Sequence, residues 1–215
     1  PGGKCGTQPS IDNFRNAATL LKTGKKAENG DFYGMVFQDS DVAKWLEAAA
    51  YSLLIKPDKE LEQRIDELCD LIAAAQEEDG YLDTHFTLQC PERKFTNLLE
   101  GHELYCAGHM MEAAVALFEA TGNDKLLSVM EKNADLLYRY FITEGHEGYP
   151  GHPEIELALL RLYSATKEEK YLEAAKKLIK ACDEYFCPWD DVEDEALLNM
   201  GCLRYDEHKQ MALIY

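Results

Sequence analysis

The sequence predicts an all-α protein made of repeated helical hairpins, stacked as a solenoid or toroid. Three observations carry this: apolar residues recur at helical spacing through residues 40–186, short polar turns interrupt them at intervals, and the resulting helix pairs share one plan. With 215 residues, 46% of them hydrophobic, the chain can bury a substantial core.

Residues 1–30 carry Gly2, Gly3, Gly6, Pro9, Gly24 and Gly30, with only a short apolar patch near Phe14 to Leu21, and read as a mostly irregular lead-in. A hairpin domain is expected over 31–186 and a divergent tail over 187–215. In the first pair, residues 40–55 place Val42, Trp45, Leu46, Ala49 and Leu53 on one stripe. Pro57 then opens a helix striped by Leu61, Ile65, Leu68, Leu71 and Ile72. The second pair runs from about His102 to Ala120 and from about Asp124 to Phe141, with Gly122 as the natural stop between them. In the third, a helix over Pro153 to Ala165 precedes a second one started by a capping box of Thr166 and Glu169. Similar loops, Asp79-Gly80-Tyr81 and Glu147-Gly148-Tyr149, return the chain to the next first helix. Side-by-side packing then makes all first helices parallel, with their N-termini on one rim.

Composition removes several classes of function. Twenty-two Lys and Arg against 40 Asp and Glu give a net charge of -18, a field that repels nucleic acid and anionic lipid surfaces. No apolar run approaches the roughly 18 residues of a membrane span. The seven cysteines are odd in number and without CxxC spacing, which favours reduced thiols and a cytoplasmic location. The sequence has no Gly-rich phosphate loop and no GxSxG elbow.

The residues that open the first helices are the informative ones: Asp39 and Asp41, then His102 and Glu103, then His152 and Glu154. Capping explains the acidic residues at a helix N-terminus, whereas histidine is a poor cap. Two histidines, each preceded by Gly and each beside a Glu, therefore point to a polar pocket on the rim. His102, Cys106 and His109 share a helix face, but histidines seven apart lie about 10 Å apart along the axis, too far to bridge one ion readily. Hydrogen bonding of a polar ligand is the better reading. Loop aromatics Phe32, Tyr33, Phe37, Tyr81, Phe86 and Tyr149 would suit the apolar faces of a sugar, or could simply fill gaps between helices. Asp39 or Asp41 with Glu103 or Glu154 could also supply a hydrolytic carboxylate pair.

Four runs, FYGMVFQDSDVAKWLEAAAYSL (32–53), AAAQEEDGYLDTHFTL (73–88), NLLEGHELYCAGHMMEAAVALFEATG (97–122) and EGYPGHPEIELALLRLYSATKEEKYLEAAK (147–176), closely resemble glycoside hydrolase family 127, the β-L-arabinofuranosidases. The resemblance implies an (α/α)6 barrel of which about half is present here. It also implies release of terminal β-L-arabinofuranosyl groups from an arabinose-containing oligosaccharide with retention, through a zinc-bound cysteine nucleophile and a glutamate acid/base. By the same resemblance His102 and His152 contact the sugar; Asp41, Glu103, Glu154 and His109 complete the expected substrate-binding set.

The departure from the family is equally specific. Its catalytic glutamate and zinc ligands, a further glutamate and three cysteines including an adjacent Cys-Cys pair, lie beyond the GHPE segment. This sequence has no Cys-Cys pair, and Cys187 and Cys202 do not reproduce the pattern. Zinc is thus expected of the full-length family with its ligands outside this chain, no catalytic residue is assigned within it, and the isolated chain is expected to be inactive. The alternative is a non-catalytic scaffold or sugar-binding module that pairs with a second copy through its open helical flanks.

Overall fold

The computed structural model describes residues 8–28 and 30–186; the expected 187–215 tail lies outside them. The described residues form helices joined by loops: α1 (Gln8–Thr23), α2 (Asp39–Ile55), α3 (Lys59–Ala74), α4 (Thr84–Gln89), α5 (Leu98–Gly101), α6 (Glu103–Thr121), α7 (Lys125–Tyr138), α8 (Ile155–Thr166) and α9 (Glu169–Phe186). A 3-10 turn follows α4, and a π turn over Arg139–Thr143 ends α7.

The first departure from expectation is α1. The lead-in is not mostly irregular, because its apolar patch is anchored: Phe14 and Ala17 are fully buried. Asn13 beside them pairs with the Tyr33 backbone in both directions, its Nδ2 donating at 2.9 Å and its Oδ1 accepting at 2.8 Å. Tertiary burial outweighs the glycine-rich surroundings.

Two layers follow from the amphipathic patterns. Helices α2, α6 and α8 pack against one another, while α1, α3, α7 and α9 pack along their outer side. The central helix α6 is buried on nearly all sides and is rich in small residues, Ala107, Gly108, Ala113, Ala114 and Ala116 among them, which allow its neighbours close. The outer helices bury only a stripe, Ile65, Leu68, Cys69 and Ile72 in α3 for example. Early residues of α2, α6 and α8 meet early ones and later residues meet later ones: Lys44 reaches Tyr105, and Arg161 reaches Glu112 and Glu47. The three inner helices are therefore parallel, as the repeat predicts.

Local details correct the reading in places. Asp58, not Pro57, starts α3, accepting from the backbone N–H groups of Glu60 at 3.0 Å and Leu61 at 3.2 Å. Trp45 leaves the apolar stripe and is 37% exposed; Leu54 and Ile55 lie exposed on the same helix. Thr166 ends α8, its hydroxyl donating back to Leu162 while also accepting the Glu168 N–H at 3.3 Å. No helix among the described residues is long and apolar enough to cross a membrane.

Candidate functional site

The N-terminal ends of α6 and α8 bring three histidines together. His102 sits between α5 and α6 with φ 57°, ψ 16°, the left-handed conformation that lets two helices abut at an angle. Its ring centroid lies 5.0 Å from that of His152, which precedes α8. Tyr105 is the centre of the group, with ring contacts to His109 at 4.5 Å, His152 at 5.5 Å and His102 at 5.8 Å. Phe37, from the loop before α2, closes on His102 at 5.2 Å. Lys44 of α2 donates to the Tyr105 hydroxyl at 2.8 Å.

A hydrogen bond fixes one tautomer. His102 Nδ1 is 2.7 Å from the Glu100 carbonyl oxygen, which can only accept, so Nδ1 holds the proton. His109 Nδ1 lies 3.0 Å from Glu154 Oε1, an ion-pair distance when the imidazole is protonated. In a neutral His102 imidazole Nε2 is then the acceptor nitrogen, suited to a hydroxyl donor.

Of the other expected site residues, some are employed elsewhere. Glu103 is almost fully buried and directed away from the histidines: its carboxylate accepts from the Tyr81 hydroxyl at 2.6 Å and from the Phe95 N–H at 2.9 and 3.0 Å. Burial pushes its carboxyl upward from the usual range. Asp41 is exposed and accepts from the Gln38 side chain. Glu154 and His109 do join the cluster, through each other.

Asp39 does not cap α2. Its two oxygens accept from the Thr84 N–H at 2.7 Å and the Thr84 hydroxyl at 2.5 Å, tying α2 to the start of α4. Desolvation pushes its carboxyl up to about 6. The neighbouring Asp83 is pushed well above the ordinary range by burial and by the Asp39 charge, and its Oδ2 has no protein partner. The buried carboxylate pair is thus Asp39 with Asp83, not Asp39 with Glu103 or Glu154. Beneath it the Cys106 thiol is pushed up as well, first by burial and then by these two acids, so it stays protonated.

The loop aromatics divide. Tyr81 and Phe86 are buried gap fillers, Phe32 packs on His85 at 4.9 Å, and Phe37 reaches the histidine group. Sequence reasoning missed Tyr105 and Lys44. Tyr105 was legible from its position one turn into the same helix face as His102 and His109; Lys44 was not, because its partner is 61 residues away.

No group of three or more His, Cys, Asp or Glu among the described residues is placed to hold a metal ion. Cys69, Cys106 and Cys182 are buried thiols, and none of them lies in a group of three possible ligands. The described residues therefore do not fit a zinc site.

Parallel inner helices with a polar rim, backed by an outer helical layer, define part of an α/α-toroid domain of the kind found in glycoside hydrolases. The family model described as "Beta-L-arabinofuranosidase, GH127 catalytic domain" matches residues 8–199, and the chain belongs to that family. It is 45% identical over 174 residues to the non-reducing end β-L-arabinofuranosidase of Bifidobacterium longum subsp. longum, an alignment covering 78% of this chain and 26% of that protein. Among solved structures, it resembles a GH127 β-L-arabinofuranosidase from Geobacillus stearothermophilus T6, with TM-score 0.74, 49% identity, and coverage of 80% of this chain and 26% of the other. A second GH127 β-arabinofuranosidase gives TM-score 0.73 and 36% identity, over 82% of this chain and 28% of the other. The chain thus spans about a quarter of the length of these relatives.

Proposed function

We propose that this chain provides the sugar-binding rim of a glycoside hydrolase that releases terminal β-L-arabinofuranosyl groups from arabinose-containing oligosaccharides. The observation that carries the reading is the cluster of His102, His109, His152 and Tyr105 at the start of parallel inner helices. The imidazoles, with an Nε2 acceptor on neutral His102, and the aromatic edges suit a neutral, hydroxyl-rich ring. The names of the relatives supply the sugar.

The rim carboxylates support binding over acid/base work by this segment. Asp39 holds Thr84, Asp41 holds Gln38, Glu103 holds Tyr81 and Phe95, and Glu154 holds His109. The retaining thiolate chemistry, with its zinc, belongs in this reading to residues other than those described.

The test is hydrolysis of an aryl β-L-arabinofuranoside by the 215-residue chain with and without zinc, beside L-arabinose binding followed by imidazole NMR signals. Binding that His102→Ala removes, without turnover, is the expected result. Zinc-independent turnover would overturn the division of labour, and absence of any sugar-induced shift would overturn the rim as a binding site. A second reading, a module that self-associates, draws on the exposed Trp45, Leu54 and Ile55 of α2; sedimentation at rising concentration decides it.

A further inference from the structure

Lys44 has an unusual position for a helix-surface lysine. Its Nζ donates to Tyr105 Oη at 2.8 Å and to Ser40 Oγ at 3.2 Å, and lies 4.9 Å from the Tyr105 ring centroid. An ammonium has three protons and no lone pair, so in its bond with Tyr105 the phenol oxygen must be the acceptor. The phenol proton is thereby left to donate to some other group. A neutral partner in place of Lys44, such as serine or glutamine, would have left the direction of the bond undecided; the ammonium decides it.

The ring that bears this hydroxyl is the one in contact with His102, His109 and His152. The fixed tautomer of His102 gives the rim an acceptor at Nε2 when that imidazole is neutral. What a sugar hydroxyl also requires is a donor to its own oxygen lone pairs.

We infer that Tyr105 is a ligand-contacting residue of the rim, its phenol O–H donating to a sugar hydroxyl oxygen, with Lys44 as the positioning residue that turns that proton outward. One hydroxyl can then give its proton to an imidazole Nε2 and receive one from Tyr105. The ligand class is a neutral polyol ring with adjacent hydroxyls. This inference rests on the sugar-binding reading of the rim.

Tyr105→Phe deletes one oxygen and leaves the ring against the three imidazoles, and Lys44→Met keeps the aliphatic stem while removing the charge. With L-arabinose as the probe, the dissociation constant should rise about three- to tenfold in Tyr105→Phe, the range for one net hydrogen bond. Lys44→Met should weaken binding in the same direction. Once Tyr105→Phe is present, adding Lys44→Met should have no further effect, because there is then no phenol proton to direct. The imidazole signals of sugar-free Tyr105→Phe should match those of the parent, which separates loss of the donor from loss of packing.

If the parent binds, His102→Ala does not, and Tyr105→Phe binds as tightly as the parent, the role of Tyr105 is overturned while the rim reading stands. If Tyr105→Phe weakens binding but Lys44→Met weakens the Tyr105→Phe protein equally again, the positioning role of Lys44 is overturned. If the parent shows no sugar-induced shift at all, both the rim reading and this inference fall together.

Discussion

Gly108 of α6 lies directly beneath Glu154 at the start of α8: a β-carbon at 108 would come within 2.7 Å of Glu154 Cγ and 3.0 Å of its carbonyl carbon and of the Ile155 nitrogen. Gly108→Ala therefore sets two effects against each other. Alanine gains about 1 kcal/mol in helix propensity, but two of the three nearest atoms are backbone, so α8 must shift, at a cost of about 1–3 kcal/mol. The clash wins. Urea unfolding should show a net loss of stability, and L-arabinose affinity should fall because Glu154 is moved from His109. An unchanged midpoint would mean that α8 is not held against α6 at this point.

His102 separates stability from binding. A non-glycine residue at φ 57° stores strain of about 1 kcal/mol, and glycine relieves it. The imidazole offsets some of this through its bond to Glu100. His102→Gly should accordingly melt at or slightly above the parent temperature while losing L-arabinose binding; a melt several degrees lower would show the imidazole to be a structural prop.

Arg161 gathers carboxylates from two other helices, with Glu112 in direct contact, Glu47 at 3.5 Å and Glu119 at 3.6 Å. Glu112 is 8% exposed at its side chain, so Arg161→Met strands a buried charge at a cost of about 3 kcal/mol or more. Combining it with Glu112→Leu removes the stranded charge. The double variant should be more stable in urea than Arg161→Met alone, and equal stability would remove Glu112 as the source of the loss.

Asp39 and Asp83 make stability depend on pH with a definite sign. Both carboxyls hold protons more tightly folded than unfolded, so the native state binds more protons above the ordinary aspartate range, Asp39 up to about 6. Their contribution is full below that range and is lost as pH rises through each raised value, that of Asp39 being about 6. Urea midpoints should fall between pH 4.5 and 7.5, and less steeply in Asp39→Asn. The same slope in both proteins would clear the pair of responsibility.

Much of this architecture is legible in the sequence because hairpin repeats are local. Gly122 stops α6 with φ 73° at the position where the turn was expected, and the stripe of α3 buries Ile65, Leu68 and Ile72. The helix α1 was hidden because composition records glycines and not the fixed partners of Phe14 and Asn13. At the site, the meeting of His102 and His152 follows from parallel helices. The employment of Asp39 by Thr84 and of Glu103 by Tyr81 does not, since 45 and 22 residues separate those partners. A carboxylate at a helix start has the same sequence signature whether it faces solvent, a cap or a distant hydroxyl.

The shared direction of α2, α6 and α8 reaches beyond packing. Each helix start carries a partial positive charge, and three such starts fall on the rim together with the Lys44 ammonium. At long range a molecule of net charge -18 repels anions, whatever the helix starts contribute locally. A neutral sugar meets neither penalty nor steering, so its association rate should be indifferent to salt. A uronate-bearing sugar would instead be slowed on approach, and added salt would speed it, which makes the net charge, acting against the pull of the helix starts, a filter against acidic glycans.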